Sequence, residues 1–224
     1  MSAIWAIFLK DLRSELRTRY ALNALVLFAL ATVLMVSFYL SSRLGPRDPV
    51  TAPVHAVLLW IAIFFAALTG LARAFVQEET SQTATLLRLH APPLAILVGK
   101  WLFNVVLLAA LALLVVGSFG VFVGLTVRDW PLFVAVVAVG CLGLATATTL
   151  IAAIIAQTRI QATLFAPLAF PILLPLLILA VQTTDAAINP IAQGGGWANV
   201  QAMAAYVVLT AASAVLLFPL VWEA

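Results

Sequence analysis

Apolar residues in this chain come in long unbroken runs rather than in alternation with polar ones. Six stretches carry no Asp, Glu, Lys or Arg: Tyr20–Ser42, Pro53–Ala72, Trp101–Leu125, Pro131–Ala156, Ala162–Val181 and Asn199–Val221. The shortest has 20 residues, and a helix needs roughly 20 apolar residues to cross a ~30 Å hydrocarbon core. The pattern predicts an all-α integral membrane protein: one transmembrane domain over residues 1–224, with six spans at 20–42, 53–72, 101–125, 131–156, 162–181 and 199–221. Every charged residue lies between or beside these runs.

The segment before the first run has a different period. At 100° per residue, Ile4, Trp5, Phe8, Leu9, Leu12 and Leu16 form one stripe, and Lys10, Arg13 and Arg17 cluster away from it. Glu15 precedes Arg19 by one helical turn, a supporting pair. Residues 1–19 are therefore expected to form an interfacial amphipathic helix, its basic face toward lipid headgroups or a partner. A passive anchor is the alternative. The polar, basic start followed by a full-length span does not have the form of a secretory signal peptide.

Charge sets the expected orientation. Lys and Arg concentrate in the short loops on the cytoplasmic side. With six spans, one side collects Lys10, Arg13, Arg17, Arg19, Arg73, Arg88, Lys100 and Arg159, and the other only Arg43, Arg47 and Arg128. Both termini are thus expected in the cytoplasm, with the loops at 43–52, 126–130 and 182–198 outside. In the last of these, Ala186–Ala192 is too short to span. It is expected to lie at the interface, to dip back into the membrane, or to form a surface loop.

Composition narrows the function. The chain is 65% apolar and 8% charged, against about 25% charged in soluble domains. That excludes a soluble enzyme, a nucleic-acid-binding module and a secreted disulfide scaffold. Cys141 stands alone, so no thiol–disulfide relay operates within the chain. None of the four charged residue types lies inside a span, which counts against ion coupling. His55, His90, Met35 and Met203 are potential heme ligands by residue type alone; none has a second ligand at metal-binding spacing. There is no G-x-x-x-x-G-K-[ST] phosphate loop and no nucleophile elbow. The chain is therefore not expected to be an enzyme or to bind ATP in that way.

Three features remain. The segment at 77–100 is long for a connection, begins acidic, and carries Leu86, Leu87 and Leu89 as a short apolar surface suited to a partner's groove. The alternative is that Arg73, Glu78 and Glu79 are only water-anchored helix ends. Gly120 and Gly124 make a G-x-x-x-G pattern that permits close helix approach, with Gly117, Gly140 and Gly143 as further small sites. Pro167, Pro171 and Pro175, spaced by four, put three rings on one face of the fifth span. Each removes a backbone donor, which predicts a kinked or locally unwound span that gates or lines a path, or else static irregular packing.

The interfacial helix, six spans, long first cytoplasmic loop and irregular last outer loop resemble exporters of the ABC-2 type. The residues narrow the resemblance. Leu71-Ala72-Arg73-Ala74-Phe75 with Glu78-Glu79, Leu86-Leu87-Arg88-Leu89 and Gly99-Lys100 resemble the cytochrome c maturation protein B family, the heme exporter protein B subunits. So does Ala166-Pro167-Leu168-Ala169-Phe170-Pro171 with Asp185-Ala186-Ala187. The resemblance implies an ABC-2 exporter-like permease of the bacterial inner membrane, with a homodimer as one of its possible states. It works with a separate cytoplasmic ABC ATPase dimer, a heme-handling membrane protein and a periplasmic heme chaperone. It implies a coupling element at Arg73, Phe75, Glu78, Glu79, Leu86, Leu87, Arg88 and Leu89. It implies no directly bound cofactor: heme is cargo of the complex, passing through this subunit or released from a loaded partner. A generic ABC-2 permease for a lipid or drug, a secondary transporter and a structural scaffold are the competing readings.

Overall fold

The structure, a computed structural model, describes residues 3–18, 20–43, 51–71, 92–156, 161–189 and 195–223. Among them are seven α-helices and no strand: α1 (Ala3–Thr18), α2 (Tyr20–Arg43), α3 (Thr51–Leu71), α4 (Pro93–Ser118), α5 (Trp130–Ala156), α6 (Gln161–Ile188) and α7 (Gly196–Glu223). A π-helical turn, Phe119–Val123, continues α4. Four of these are long and apolar enough to cross a membrane: Pro93–Val123, Trp130–Ile155, Pro167–Ile188 and Gly196–Pro219. The described apolar stretches of α2 and α3 are shorter, Val26–Met35 and Pro53–Phe65.

Helix α5 is the centre of the bundle and packs against α3, α4, α6 and α7. Small residues make this work, because apolar helices in lipid associate by close packing rather than by escape from water. Gly140 lies directly beneath the Trp60 ring of α3, and Gly143 lies against Leu176 of α6. Ala145, Ala147, Ala152 and Ala153 extend the same tight surface. The α5 threonines turn their hydroxyls back onto their own helix: Thr146 donates to the Leu142 carbonyl at 2.7 Å, Thr148 to Leu144 at 2.6 Å and Thr149 to Ala145 at 2.6 Å. Their polarity is thereby satisfied without water. Outside, Met35, Phe38, Leu113, Val121 and Leu216 are exposed. Apolar surface on that scale suits hydrocarbon, not water.

One end of the bundle is closed by the α4–α5 connection. Gly124 ends the π-turn with φ +71°, a left-handed conformation that only glycine adopts without cost. Asp129 caps α5 by accepting the Leu132 amide at 3.0 Å. The amides of Arg128 and Asp129 both donate to the Ala187 carbonyl at the end of α6, at 3.0 and 3.1 Å. At the same end the Ser37 hydroxyl of α2 donates to the Phe122 carbonyl within the π-turn.

Several boundaries differ from those read off the charge-free runs. Helix α4 begins at Pro93, eight residues before the run at 101–125, so 93–100 of the long connection is helix with Ala95, Ile96, Leu97, Gly99 and Lys100 buried. Pro93 is pre-set for a first helical position, and Pro92 is extended at φ −64°, ψ 146°. Helix α6 runs past 181 to Ile188, because buried Thr183 and Thr184 continue the apolar face. Ala186–Ile188 therefore finishes a helix rather than opening a loop; residues 190–194 lie outside those described. The G-x-x-x-G pattern does not mark a helix contact among the described residues. A side chain at Gly117, Gly120 or Gly124 would meet open space.

Candidate functional site

The expected coupling residues Arg73, Phe75, Glu78, Glu79, Leu86, Leu87, Arg88 and Leu89 lie outside the described residues, as does His90. What is described is where the chain leaves that segment. The Pro92 carbonyl accepts the amides of Ala95 at 2.9 Å and Ile96 at 3.3 Å, which starts α4 at once. Two turns further on, Gly99 and Lys100 meet α1.

That junction is built from both helices. A Cβ on Gly99 would stand 2.9 Å from Ile7 Cγ2 and 3.1 Å from the Ile4 carbonyl oxygen, so only glycine admits α1 this closely. Ile7 is buried in the contact, and Phe8 next to it is buried as well. Beside them the Lys100 ammonium, 1% exposed, donates to Asp11 Oδ2 at 3.3 Å, and Lys10 approaches Asp11 Oδ1 at 3.3 Å. A buried ammonium is tolerated because a carboxylate meets it.

The buried face of α1 is thus centred on Ile4, Ile7, Phe8, Asp11 and Glu15. It lies about 80° round the axis from the centre of the apolar stripe read from the sequence. Trp5 and Leu16 stay exposed, at 47% and 54%, with Leu9 and Leu12 half-buried between them. Helix α1 therefore has three sides: one on protein, one apolar and unused by the protein, and one carrying exposed Lys10, Arg13 and Arg17.

Further along α4 a polar seam joins it to α5. Trp101 Nε1 donates to Thr146 Oγ1 at 2.9 Å, and Asn104 Nδ2 donates to Thr149 Oγ1 at 2.8 Å. Asn104 Oδ1 is buried without a hydrogen-bond partner among the described residues. An apolar cleft of about 180 Å³ opens beside this seam, lined by Leu97, Trp101, Thr146 and Thr149 on one side and Ala211 and Ala214 of α7 on the other. A second inter-helix bond ties Trp60 Nε1 of α3 to Thr184 Oγ1 of α6 at 2.8 Å.

Pro167, Pro171 and Pro175 sit on the exposed side of α6, inside one continuous helix of 28 residues. Pro175 deprives the Pro171 carbonyl of its donor. The next carbonyl, that of Ile172, accepts the Tyr206 hydroxyl of α7 at 2.8 Å. No unwound stretch interrupts the helix.

Among the other residues singled out by type, His55, Cys141 and Met203 are buried and Met35 is exposed. The described residues hold no group of three or more His, Cys, Asp or Glu that could bind a metal. The sequence reading passed over Asp11, Asn104 and the Trp60–Thr184 pair. Only Asp11 left a signal: a lysine at the edge of an apolar run needs a carboxylate near it.

An all-helical bundle with an apolar exterior and paired polar groups between its helices is an integral membrane protein. The sequence places it more narrowly: residues 2–218 match the CcmB protein family, and the chain belongs to that family. The family is that of heme-export membrane proteins of cytochrome c biogenesis. No curated protein matches the chain.

Proposed function

We propose that the chain is the permease subunit of an ABC complex for heme delivery in cytochrome c maturation. It crosses the bacterial inner membrane six times with both termini in the cytoplasm, and α1 lies in the interface. A separate ATPase dimer hydrolyses ATP and seats against the coupling loop at 77–100, with Arg73 and Phe75 at its approach. A heme-handling membrane protein and a periplasmic heme chaperone receive the result, either heme itself or release of a loaded chaperone. The observation that carries this reading is the family match over 2–218 in a chain with no phosphate loop of its own. A generic lipid permease lacks comparable support.

The test is purification with and without the ATPase. The chain alone is expected to bind no nucleotide. The assembled complex is expected to hydrolyse ATP and to show a heme absorption band once the heme-handling partner is present. ATP binding by the chain with the ATPase rigorously absent, or normal holocytochrome c in cells lacking the chain, overturns the proposal.

Orientation has its own check. Cysteines placed by Thr18→Cys and Ser81→Cys should be shielded from an impermeant maleimide in intact cells, and one placed by Arg47→Cys should react. Reversed labelling overturns the topology.

A further inference from the structure

Resting on that reading, we propose that Asp11 is a positioning residue: its carboxylate, held between Lys10 and Lys100, clamps the N-terminal helix to the first turns of α4. The helix then moves with the exit of the 72–91 segment instead of floating as a passive anchor.

Three independent features converge on the clamp. Gly99 is the one residue type that lets Ile7 and the Ile4 backbone approach so closely. Ile7, which lies off the apolar stripe of α1, is buried there, while Trp5 and Leu16 of that stripe stay exposed. Lys100 is buried to 1% exposure beside a carboxylate that is itself 12% exposed. A helix that needed only the membrane would dock with Trp5, Leu9, Leu12 and Leu16 against lipid and would not require a charged pair against protein. Here the face toward α4 is the one carrying Asp11, and the apolar stripe points elsewhere. Lys100 lies only seven positions after Pro93, where α4 leaves the preceding segment. A rigid α-helix transmits displacement over that distance of about 10 Å. A push on the segment's exit therefore reaches α1 through two turns of helix and one ion pair.

Loss of one partner differs from loss of both. Removing Asp11 alone takes from the buried Lys100 ammonium the carboxylate that meets it at 3.3 Å, so α1 lifts to bring in water in its place. Removing both charges leaves an apolar contact that still closes.

The experiment places a cysteine by Ile7→Cys and follows its reaction with an impermeant maleimide in inverted membrane vesicles containing the whole complex. The native background serves, because Cys141 is buried. Asp11→Ala should raise the labelling rate at position 7 tenfold or more. Asp11→Ala with Lys100→Met, and Asp11→Lys with Lys100→Asp, should restore slow labelling. At matched membrane levels and matched ATPase recovery, holocytochrome c should fall at least fivefold in Asp11→Ala and return in the charge-swapped pair. Unchanged labelling in Asp11→Ala overturns the clamp. Raised labelling with undiminished maturation overturns the positioning role and makes α1 a passive anchor. Labelling does not depend on what the complex transports, so a failure of the proposed function, read from cells lacking the chain altogether, remains distinguishable.

Discussion

Gly140→Ala is expected to lower the thermal unfolding midpoint of the detergent-solubilised protein, and Gly140→Leu to abolish its accumulation in the membrane. A Cβ at position 140 would stand 2.1 Å from Trp60 Cη2, far inside contact distance. The ring has little room to yield. Trp60 is fully buried, and its Nε1 is tied to Thr184 of α6. Swinging the indole away breaks that bond and leaves a buried donor unmet, a cost of about 1–3 kcal/mol. Moving α5 instead opens contacts to α3 and α6 together, and overpacking of this kind costs typically ~1–3 kcal/mol. Against this, alanine is the better helix former than glycine by at most about 1 kcal/mol. The steric term wins, so the net change is destabilising. Trp60→Phe in the Gly140→Ala background should recover part of the loss, because the smaller ring vacates the contested space. An unchanged midpoint for Gly140→Ala would show that α3 and α5 do not meet at this site.

Leu86→Asp with Leu87→Asp is expected to reduce recovery of the ATPase subunit tenfold or more at matched membrane levels. Fully burying one leucine contributes about 1.5–3 kcal/mol, and ~1.4 kcal/mol is a factor of ten in affinity. Two leucines turned to carboxylates therefore exceed a decade even if each is only half buried in the partner. Both positions lie outside the charge-free runs, so insertion should be spared. Co-purification is the measurement. Unchanged ATPase recovery together with normal cytochrome c maturation would remove this segment from the coupling role.

The helical class was plain from sequence, because runs without charge have no other stable form in lipid. The points that escaped are instructive. Lys100 terminates the charge-free run at 101, and yet α4 starts at Pro93. The charge is met by Asp11, 89 positions away; a lysine beside an apolar run calls for a carboxylate, but no local pattern says which one. The structure has a helix over Ala3–Thr18, and the period gave its apolar stripe. It could not say which side meets protein, since that depends on a glycine in another helix. The glycines behaved differently for a similar reason. Gly120 and Gly124 have the spacing, while Gly140 and Gly143 have the neighbours. Spacing is visible along a chain and neighbours are not. Of the candidate site, Pro167, Pro171 and Pro175 are placed, on the exposed side of a continuous helix. The coupling residues lie in a segment the structure does not describe.

The pairing of Asp11 with Lys100 also sets an order of events during synthesis. Chains emerge N-terminus first at about 5–20 residues per second. The 89 positions between the two residues therefore correspond to a delay of roughly 4–18 s. Through that interval the first helix has been made and its partner has not. On the proposed topology it waits on the membrane surface, and exposed Trp5 and Leu16, with half-buried Leu9 and Leu12 between them, are suited to hold it there. On that topology Lys100, when it arrives, finds its carboxylate already at the interface. The lysine need never enter the bilayer alone. A bulky N-terminal fusion that keeps the first helix off the membrane would then be felt not at the N-terminus but a hundred residues later, as faulty insertion of α4.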